Sequence, residues 1–540
     1  RIEAETGMRI PMKAVFSHDT PEQLAELISD NISEEYVSIP KAEERVYYSM
    51  SSAQKRMYAV QQIQPDSVAY NIPMNIRLSG NLNLEKLKNA FQEMMNRHDI
   101  FRTVFLILDG EPVQKILERT QADFKCYSSD KSDKELMQAF LRPFDLSKAP
   151  LIRAELVQKS EYYLFMLDMH HIISDGISED IFIRELAELY NGQTLQSPFR
   201  QFKDYSEWMR SRDLSGQAAY WKEQFSGEIP VLDMPTDYPR PQEQSFQGTR
   251  VSVVIDEKLS DAIIKTAQRS AATEYMVLLA ALMVTLSKYS RQEDIVVGSP
   301  ISGRTHRDTE EIIGMFVNTL AMRGRPEAGK TFSEFLSEIK KICLKAYENQ
   351  EYPFDELVSH LNIPRNLARN PLFDVMMVFQ NTEDTKIDFS GVSTELVENL
   401  SVSAMFDLTF EIEKTKKSYR IDLEYCTDLF TEETAKSIMK HYVYMLEQLI
   451  EHSDKKLRTI EMVTDTERVQ ILNTFNATTT DYPKDKTIVE LFEEQVKNNP
   501  NKIALVFRNK KFTYLELNAK ANSLAYKLRE LGVKPDDFVA

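Results

Sequence analysis

The stretch "MHHIISDGIS", residues 169–178, sets two histidines, an aspartate and a glycine directly after the apolar run "YYLFMLD". The whole chain holds only eight histidines in 540 residues. Imidazole titrates near neutrality, so a histidine at a strand end can move a proton, ligate a metal or serve a nucleophile. Metal ligation needs a set of further His, Cys or carboxylate ligands at suitable spacing, and no such set stands nearby. A serine hydrolase is not supported either, because no G-x-S-x-G elbow occurs. Spacing alone leaves the histidine pair open between satisfied structure and chemistry.

The elements that must position these residues are legible in the apolar pattern. A buried strand runs up to Met169, a tight connection covers Ser174 to Gly176, and an amphipathic helix follows. Adjacent strand residues point to opposite faces, so only one of His170 and His171 can face a given cavity and the other must pack. Strand ends and their loops line the clefts of α/β folds. From about residue 45 to 215, strands such as "NIPMNIRL" alternate with helices such as "NLEKLKNAFQEMMNRH". The proline-rich connection "LDMPTDYPRPQEQSFQGT" then leads to a second mixture of strands and helices over about 225–455. The pattern predicts an α/β protein with two lobes of comparable size.

The totals narrow the functional classes. Lys plus Arg number 66 against 83 for Asp plus Glu, a net charge of −17 that argues against nucleic acid as a partner. The longest apolar run, "MVLLAALMVTL", is too short for a membrane span and reads as a buried helix. Cys126, Cys343 and Cys426 show no disulfide or metal spacing, which fits a reducing cytoplasm. "TPEQLAELISDNI" reads as a capped helix, and the charged "SEEYVSIPKAEERVYY" as a linker. At the far end, helix, strand, strand and helix are expected from about residue 487, as if a further domain began there.

With the motifs laid side by side, the chain resembles the condensation domains of nonribosomal peptide synthetases, relatives of chloramphenicol acetyltransferase. "HHIISDG" is similar to their H-H-x-x-x-D-G signature, and the rest of the series follows in order: "SSAQKRMY", "RHDIFRTVF", "YSEWMR", "IGMFVNTLAMR", "NQEYPFDELV" and "RNPLFDVMMVFQN". Asp99 stands where the family usually has glutamate, and Phe101 where it often has leucine. Residues 1–32 resemble the end of a peptidyl carrier domain, beyond its modified serine. Residues 33–44 and 456–486 read as linkers on either side of a condensation domain at 45–455. Residues 487–540, with "FTYLEL", resemble the start of an adenylation domain.

The resemblance implies a V-shaped pseudo-dimer of two acetyltransferase-like lobes around a central tunnel. It implies peptide-bond formation, the acceptor α-amine attacking a donor thioester, both carried on phosphopantetheine arms of carrier domains upstream and downstream. The condensation domain itself then binds no cofactor or metal, and its further partner is the adjacent adenylation domain. His171 is implied as the catalytic residue facing the tunnel, with Gly176 near the oxyanion and allowing a close turn. His170 is its packed partner. Asp175 is implied to be structural, paired with an arginine, for which Arg97 is the first choice and Arg102 the second. The loop "GMFVNT" is expected to form cavity wall, Trp208 and Trp221 to be core aromatics, and His98 and His306 to be structural. The carrier-like segment ahead of the domain favours an L-configured donor. An epimerisation domain or a catalytically inactive recruitment module of the same fold are the alternatives, whereas the D-x-x-x-x-D of heterocyclisation domains does not occur.

Overall fold

The computed structural model describes residues 8–9, 20–29, 34–364, 366–380, 387–397 and 402–539. The carrier-like segment expected over 1–32 therefore lies mostly outside the described residues. Within it a helix spans Pro21–Ser29, and the Thr20 hydroxyl accepts from the Gln23 backbone N–H at 3.3 Å, as the capping signature predicts. The chain forms two compact units, residues 1–464 and 465–540.

The first half of the larger unit supplies α1 (Ser52–Ile63), β1 (Asn71–Gly80), α2 (Leu84–Arg97), β2 (Asp123–Ser128), β3 (Ile152–Gln158), β4 (Tyr163–His170), α3 (Gly176–Tyr190) and α4 (Phe202–Ser211). Helix α2 forms because Asn83 caps it, accepting from the Lys86 N–H at 3.0 Å. Its Leu87, Ala90, Phe91, Met94 and Met95 recur at helical spacing and are all buried. Strand β4 is buried continuously from Leu164 to His170, which explains why it reads as an unbroken apolar run rather than an alternation.

The second half supplies β5 (Gln247–Val254), α5 (Glu274–Ser290), β6 (Ile295–Ile301), β7 (Asn318–Gly324), α6 (Phe354–His360), β8 (Val375–Gln380), β9 (Val392–Val397), β10 (Val402–Ser403), β11 (Leu408–Lys414), β12 (Tyr419–Cys426) and α7 (Glu432–Glu451). Helix α5 carries "MVLLAALMVTL" and is buried from Tyr275 to Leu286, so the run is the core helix of this lobe. The sheet order is β7-β6-β8-β11-β12-β5-β10, with β8 parallel to both neighbours. The first lobe's sheet runs β9-β1-β4-β3-β2.

That order exposes a feature absent from the sequence reading, which took 225–455 as one continuous lobe. Two segments of the second half return to the first. Strand β9 pairs antiparallel with β1, Val392 opposite Gly80. The long loop between the adjacent antiparallel strands β6 and β7, termed the crossover because it reaches over to the other lobe, sends Ile312, Ile313, Met315 and Phe316 into the first lobe's core. Trp221 is a core aromatic at 3 % exposure. Trp208, expected there too, is only part-buried. The buried face of α4 is carried by Phe202 and Ser206, and Trp208 falls beside it, against Arg212 and His306.

The smaller unit contains α8 (Ile488–Asn498), a hairpin of β13 (Ile503–Phe507) and β14 (Lys510–Thr513), and α9 (Tyr514–Glu530), in the order expected from its sequence. Among the described residues no single helix is long and apolar enough to cross a membrane.

Candidate active site

Strand β4 ends at His170, and a single 3₁₀ turn, His171–Ile173, carries the chain to Asp175 at the head of α3. The two histidines diverge because the strand stops between them: His170 is its last residue, whereas His171 opens the 3₁₀ turn. His170 is fully buried; its Nδ1 accepts from the Ile172 N–H at 3.0 Å and its Nε2 faces Gln61 Oε1 at 3.4 Å. Burial brings its pKa down to about 3, so it is a neutral packing element, wedged between Tyr70 and Phe144.

His171 instead lines a cavity of about 580 Å³. Its Nδ1 lies 2.8 Å from the Ser174 carbonyl oxygen. A carbonyl can only accept, so Nδ1 carries the proton and Nε2 is left as the lone-pair nitrogen. Burial holds the ring below the ordinary histidine value, while the Ser174 carbonyl and the Asp175 charge pull the other way. The side chain is therefore a neutral base with a fixed tautomer near pH 7.

The loop is held from three sides. From α1, buried Gln54 donates Nε2–H to the Ile172 carbonyl at 3.1 Å, while its Oε1 accepts from the Ser51 N–H that opens the same helix. This gives "SSAQ" a physical role: one glutamine caps a helix and ties down the turn after His171. From α3 itself, Asp175 Oδ1 accepts from the Ser178 N–H at 2.8 Å. From the β6–β7 crossover, Arg304 Nη2 donates to Asp175 Oδ1 at 3.1 Å and to Ser178 Oγ at 2.8 Å, and the Phe316 N–H donates to Asp175 Oδ2 at 3.0 Å. Gly303 precedes Arg304 at φ +66, and a Cβ there would meet the Phe316 carbonyl oxygen at 1.9 Å, so glycine is required for that turn.

The partner of Asp175 is therefore Arg304, and the expectation of Arg97 or Arg102 is corrected. Arg97 Nε pairs with Glu185 at 2.8 Å, beside His98, and so ties α2 to α3 one face away from the loop. Arg102 Nη2 pairs with Asp99 at 2.7 Å, three residues back in its own turn. Both arginines belong to the "RHDIFRTVF" stretch, and neither lies on the segment between β6 and β7 that meets Asp175. The close-turn role expected of Gly176 is corrected as well. It has no positive φ, and a Cβ would meet nothing within 4 Å. It occupies the first helical position of α3, where its N–H is one of the four without an intrahelical partner.

Two further acids stand behind the loop. Asp168, in β4, is fully buried against Arg153 and Asn71, and burial raises its pKa to about 6. Glu179, in the first turn of α3, has an Oε1 with no hydrogen-bond partner; burial, followed by the charges of Asp180, Asp175 and Asp168, raises it to about 8. Sequence reading missed Arg304, Gln54 and Glu179. Only Glu179 left a local signal, an acid on the same helical face as apolar Phe182 and Ile183.

A second cavity, of about 390 Å³, adjoins the first. Arg56, Val317, Thr319, Phe354 and Asp355 border both. Arg56 of α1 and Asp355 of α6 come from opposite lobes, with Nε 3.6 Å from Oδ1. The "GMFVNT" loop supplies wall to both cavities, as expected of it. Among the described residues no three His, Cys, Asp or Glu side chains come together to hold a metal ion.

The condensation-domain family model matches residues 44–472, most of the chain. The chain belongs to the condensation-domain family. A second family, the AMP-binding enzymes, matches residues 492–540. Over its full length the chain is 44% identical to part of bacitracin synthase 3 of Bacillus licheniformis and 43% identical to part of gramicidin S synthase 2 of Brevibacillus brevis. It spans only 9% and 12% of those proteins. Among solved structures, a holo four-domain nonribosomal peptide synthetase bound to AMP and glycine aligns with TM-score 0.79 at 20% identity, covering 94% of this chain and 40% of that one. The X-domain from teicoplanin biosynthesis aligns with TM-score 0.73 at 21% identity, covering 79% and 100%. These likenesses carry the fold, the two-lobed acetyltransferase-like architecture that condensation domains share.

Proposed function

We propose that this domain forms a peptide bond between two carrier-bound substrates, with His171 as the residue that meets the attacking amine. The observation that carries the reading is the fixed His171 tautomer: Nδ1–H is held by the Ser174 carbonyl and the neutral ring lines the larger cavity. The adjoining cavities suit two phosphopantetheine arms arriving from different sides, one from an upstream donor carrier and one from a downstream acceptor carrier. The family supports this, as does the AMP-binding match over residues 492–540, read here as the start of an adenylation domain. The setting is a cytoplasmic antibiotic-type synthetase.

In this scheme the acceptor α-amine attacks the donor thioester carbon and a C–N bond forms. The amine proton passes to His171 Nε2, the C–S bond breaks, and the departing thiolate of the donor arm takes the proton. The Gly176 N–H, at the head of α3, faces the developing oxyanion, where a helix N-terminus favours negative charge. Holding both thioesters in attack geometry contributes about 7–11 kcal/mol in well-oriented cases, so confinement is as large a term as proton transfer. The donor is assigned the L configuration. Epimerisation is the second reading, favoured by the same histidine motif, and an inactive recruitment role the third; the intact His171 network weighs against the latter.

The test supplies donor and acceptor thioesters on separate carriers and follows the amide by mass spectrometry in single turnover. His171→Ala should lower the rate by about 10²–10⁴-fold, the usual span for one acid–base group. Product of inverted configuration without an amide would favour epimerisation, and no product of either kind the inactive role.

A further inference from the structure

The segment that leads into the domain is fastened to the crossover that holds the catalytic loop. Residues 36–42 have no regular secondary structure, yet Ile39 is fully buried. One carboxylate gathers them: Asp308 accepts from the Tyr36 hydroxyl, from Ser38 Oγ at 2.7 Å and from the Ile39 N–H at 2.8 Å. His306 Nε2 reaches the Val37 carbonyl at 3.0 Å, and its ring lies 5.3 Å from that of Tyr36. From the first lobe, Arg200 donates to the Ile39 carbonyl and Asp204 Oδ1 accepts from the Ala42 N–H at 2.8 Å. Fixing a backbone residue costs roughly 1–2 kcal/mol of entropy, so a segment that served only as a tether has no need of this many charge-assisted bonds.

Asp308 and Arg304 belong to one compact turn. Arg304 Nη1 donates to the carbonyl of Thr309, the residue after Asp308, and to that of Ile312 at 2.7 Å. Its other terminal nitrogen, Nη2, holds Asp175 and Ser178. The Ser174 carbonyl that sets the His171 tautomer is one residue before Asp175. A contiguous run of bonds thus connects the entering segment, through Asp308 and Arg304, to the base.

We propose that Asp308 is a positioning residue for the condensation reaction: seating residues 36–42 on it sets the crossover turn, and through Arg304 the loop that presents His171. The inference rests on the condensation reading of His171. Its consequence is that the connection to the preceding carrier acts on the active site as a structural part of it, in addition to setting reach.

Variants on both sides of the contact test this in the full chain. Tyr36→Phe with Ser38→Ala loosens the segment without touching the crossover; Asp308→Ala removes the acceptor, and Asp308→Asn keeps one acceptor oxygen. Three quantities are read: tryptic cleavage after Lys41, thermal midpoint, and single-turnover amide formation from pH 5.5 to 8.5 with both substrates on separate carriers. The expected result is faster cleavage, a nearly unchanged midpoint, a rate lowered about ten- to a hundredfold, a displaced acid limb, and partial recovery in Asp308→Asn. Faster cleavage with a wild-type rate and profile would overturn the proposal. So would a rate loss that merely follows the midpoint with an unmoved pH profile. Wild type is run beside them, and its failure to form an amide would count against the condensation reading rather than against Asp308.

Discussion

Replacing Asp175 with alanine removes three bonds at once, and their geometry sets the size of the effect. The helix α3 cap is lost, which costs about 1 kcal/mol. Arg304, with its side chain 4 % exposed, loses its carboxylate. Breaking a buried pair costs about 3–5 kcal/mol, and the lower end applies because Arg304 keeps Ser178 Oγ and two carbonyls. The Phe316 N–H loses its acceptor, for about 1 kcal/mol more. The total is about 5 kcal/mol. At about 2.1 cal/mol/K per residue, the 464-residue unit unfolds with an entropy near 1 kcal/mol/K, so the midpoint should fall by about 5 °C. Asp175→Asn keeps one acceptor and should lose about half as much. Calorimetry beside single-turnover rates measures both. Double-mutant combinations identify the partner: Arg304→Met should be strongly non-additive with Asp175→Ala, whereas Arg97→Met should add in full because it acts on Glu185. An Asp175→Ala protein with an unchanged midpoint and abolished amide formation would refute the structural role argued for this carboxylate.

The remaining expectations concern the buried groups around the loop. His170 has a folded pKa of about 3 against an ordinary 6.5, so the unfolded chain binds the extra proton between those values and stability falls as pH drops from 6.5 toward 3. His170→Asn should flatten that acid slope in urea titrations while lowering stability at pH 7 through lost packing; an unaltered slope would show the ring is not the cause. Glu179 runs the other way: its folded pKa of about 8 exceeds the ordinary 4.5, so stability falls as pH rises from 4.5 to 8. Glu179→Gln should raise the midpoint at pH 8 and leave it unchanged at pH 4.5, and equal effects at both would contradict a buried, neutral acid. Asp355→Asn removes the Arg56 partner between the lobes and should change the acceptor or donor concentration dependence more than the maximal rate, as measured by varying each loaded carrier in turn.

Much of this domain was written locally. Strand β4, the cap at Asp175 and helix α3 follow from an apolar run, an aspartate and a helical period that lie within 30 residues of one another. That one histidine packs and the other lines a cavity was expected from strand alternation, though His171 stands just past the strand in a 3₁₀ turn, and the core identity of α5 follows from an apolar run too short to span a membrane. The motif series, read in order, carried the family before any contact was known. What the sequence could not disclose are the pairings made by crossovers. Arg304 meets Asp175 across 129 residues, Asp308 meets Ser38 across 270, and β9 joins a sheet begun at β1. The family resemblance put forward Arg97 and Arg102, which instead pair with Glu185 and Asp99. Periodicity reports which face of an element is apolar, whereas the partner of a buried charge is set by which distant segment closes over it, and that is decided only when the two lobes pack.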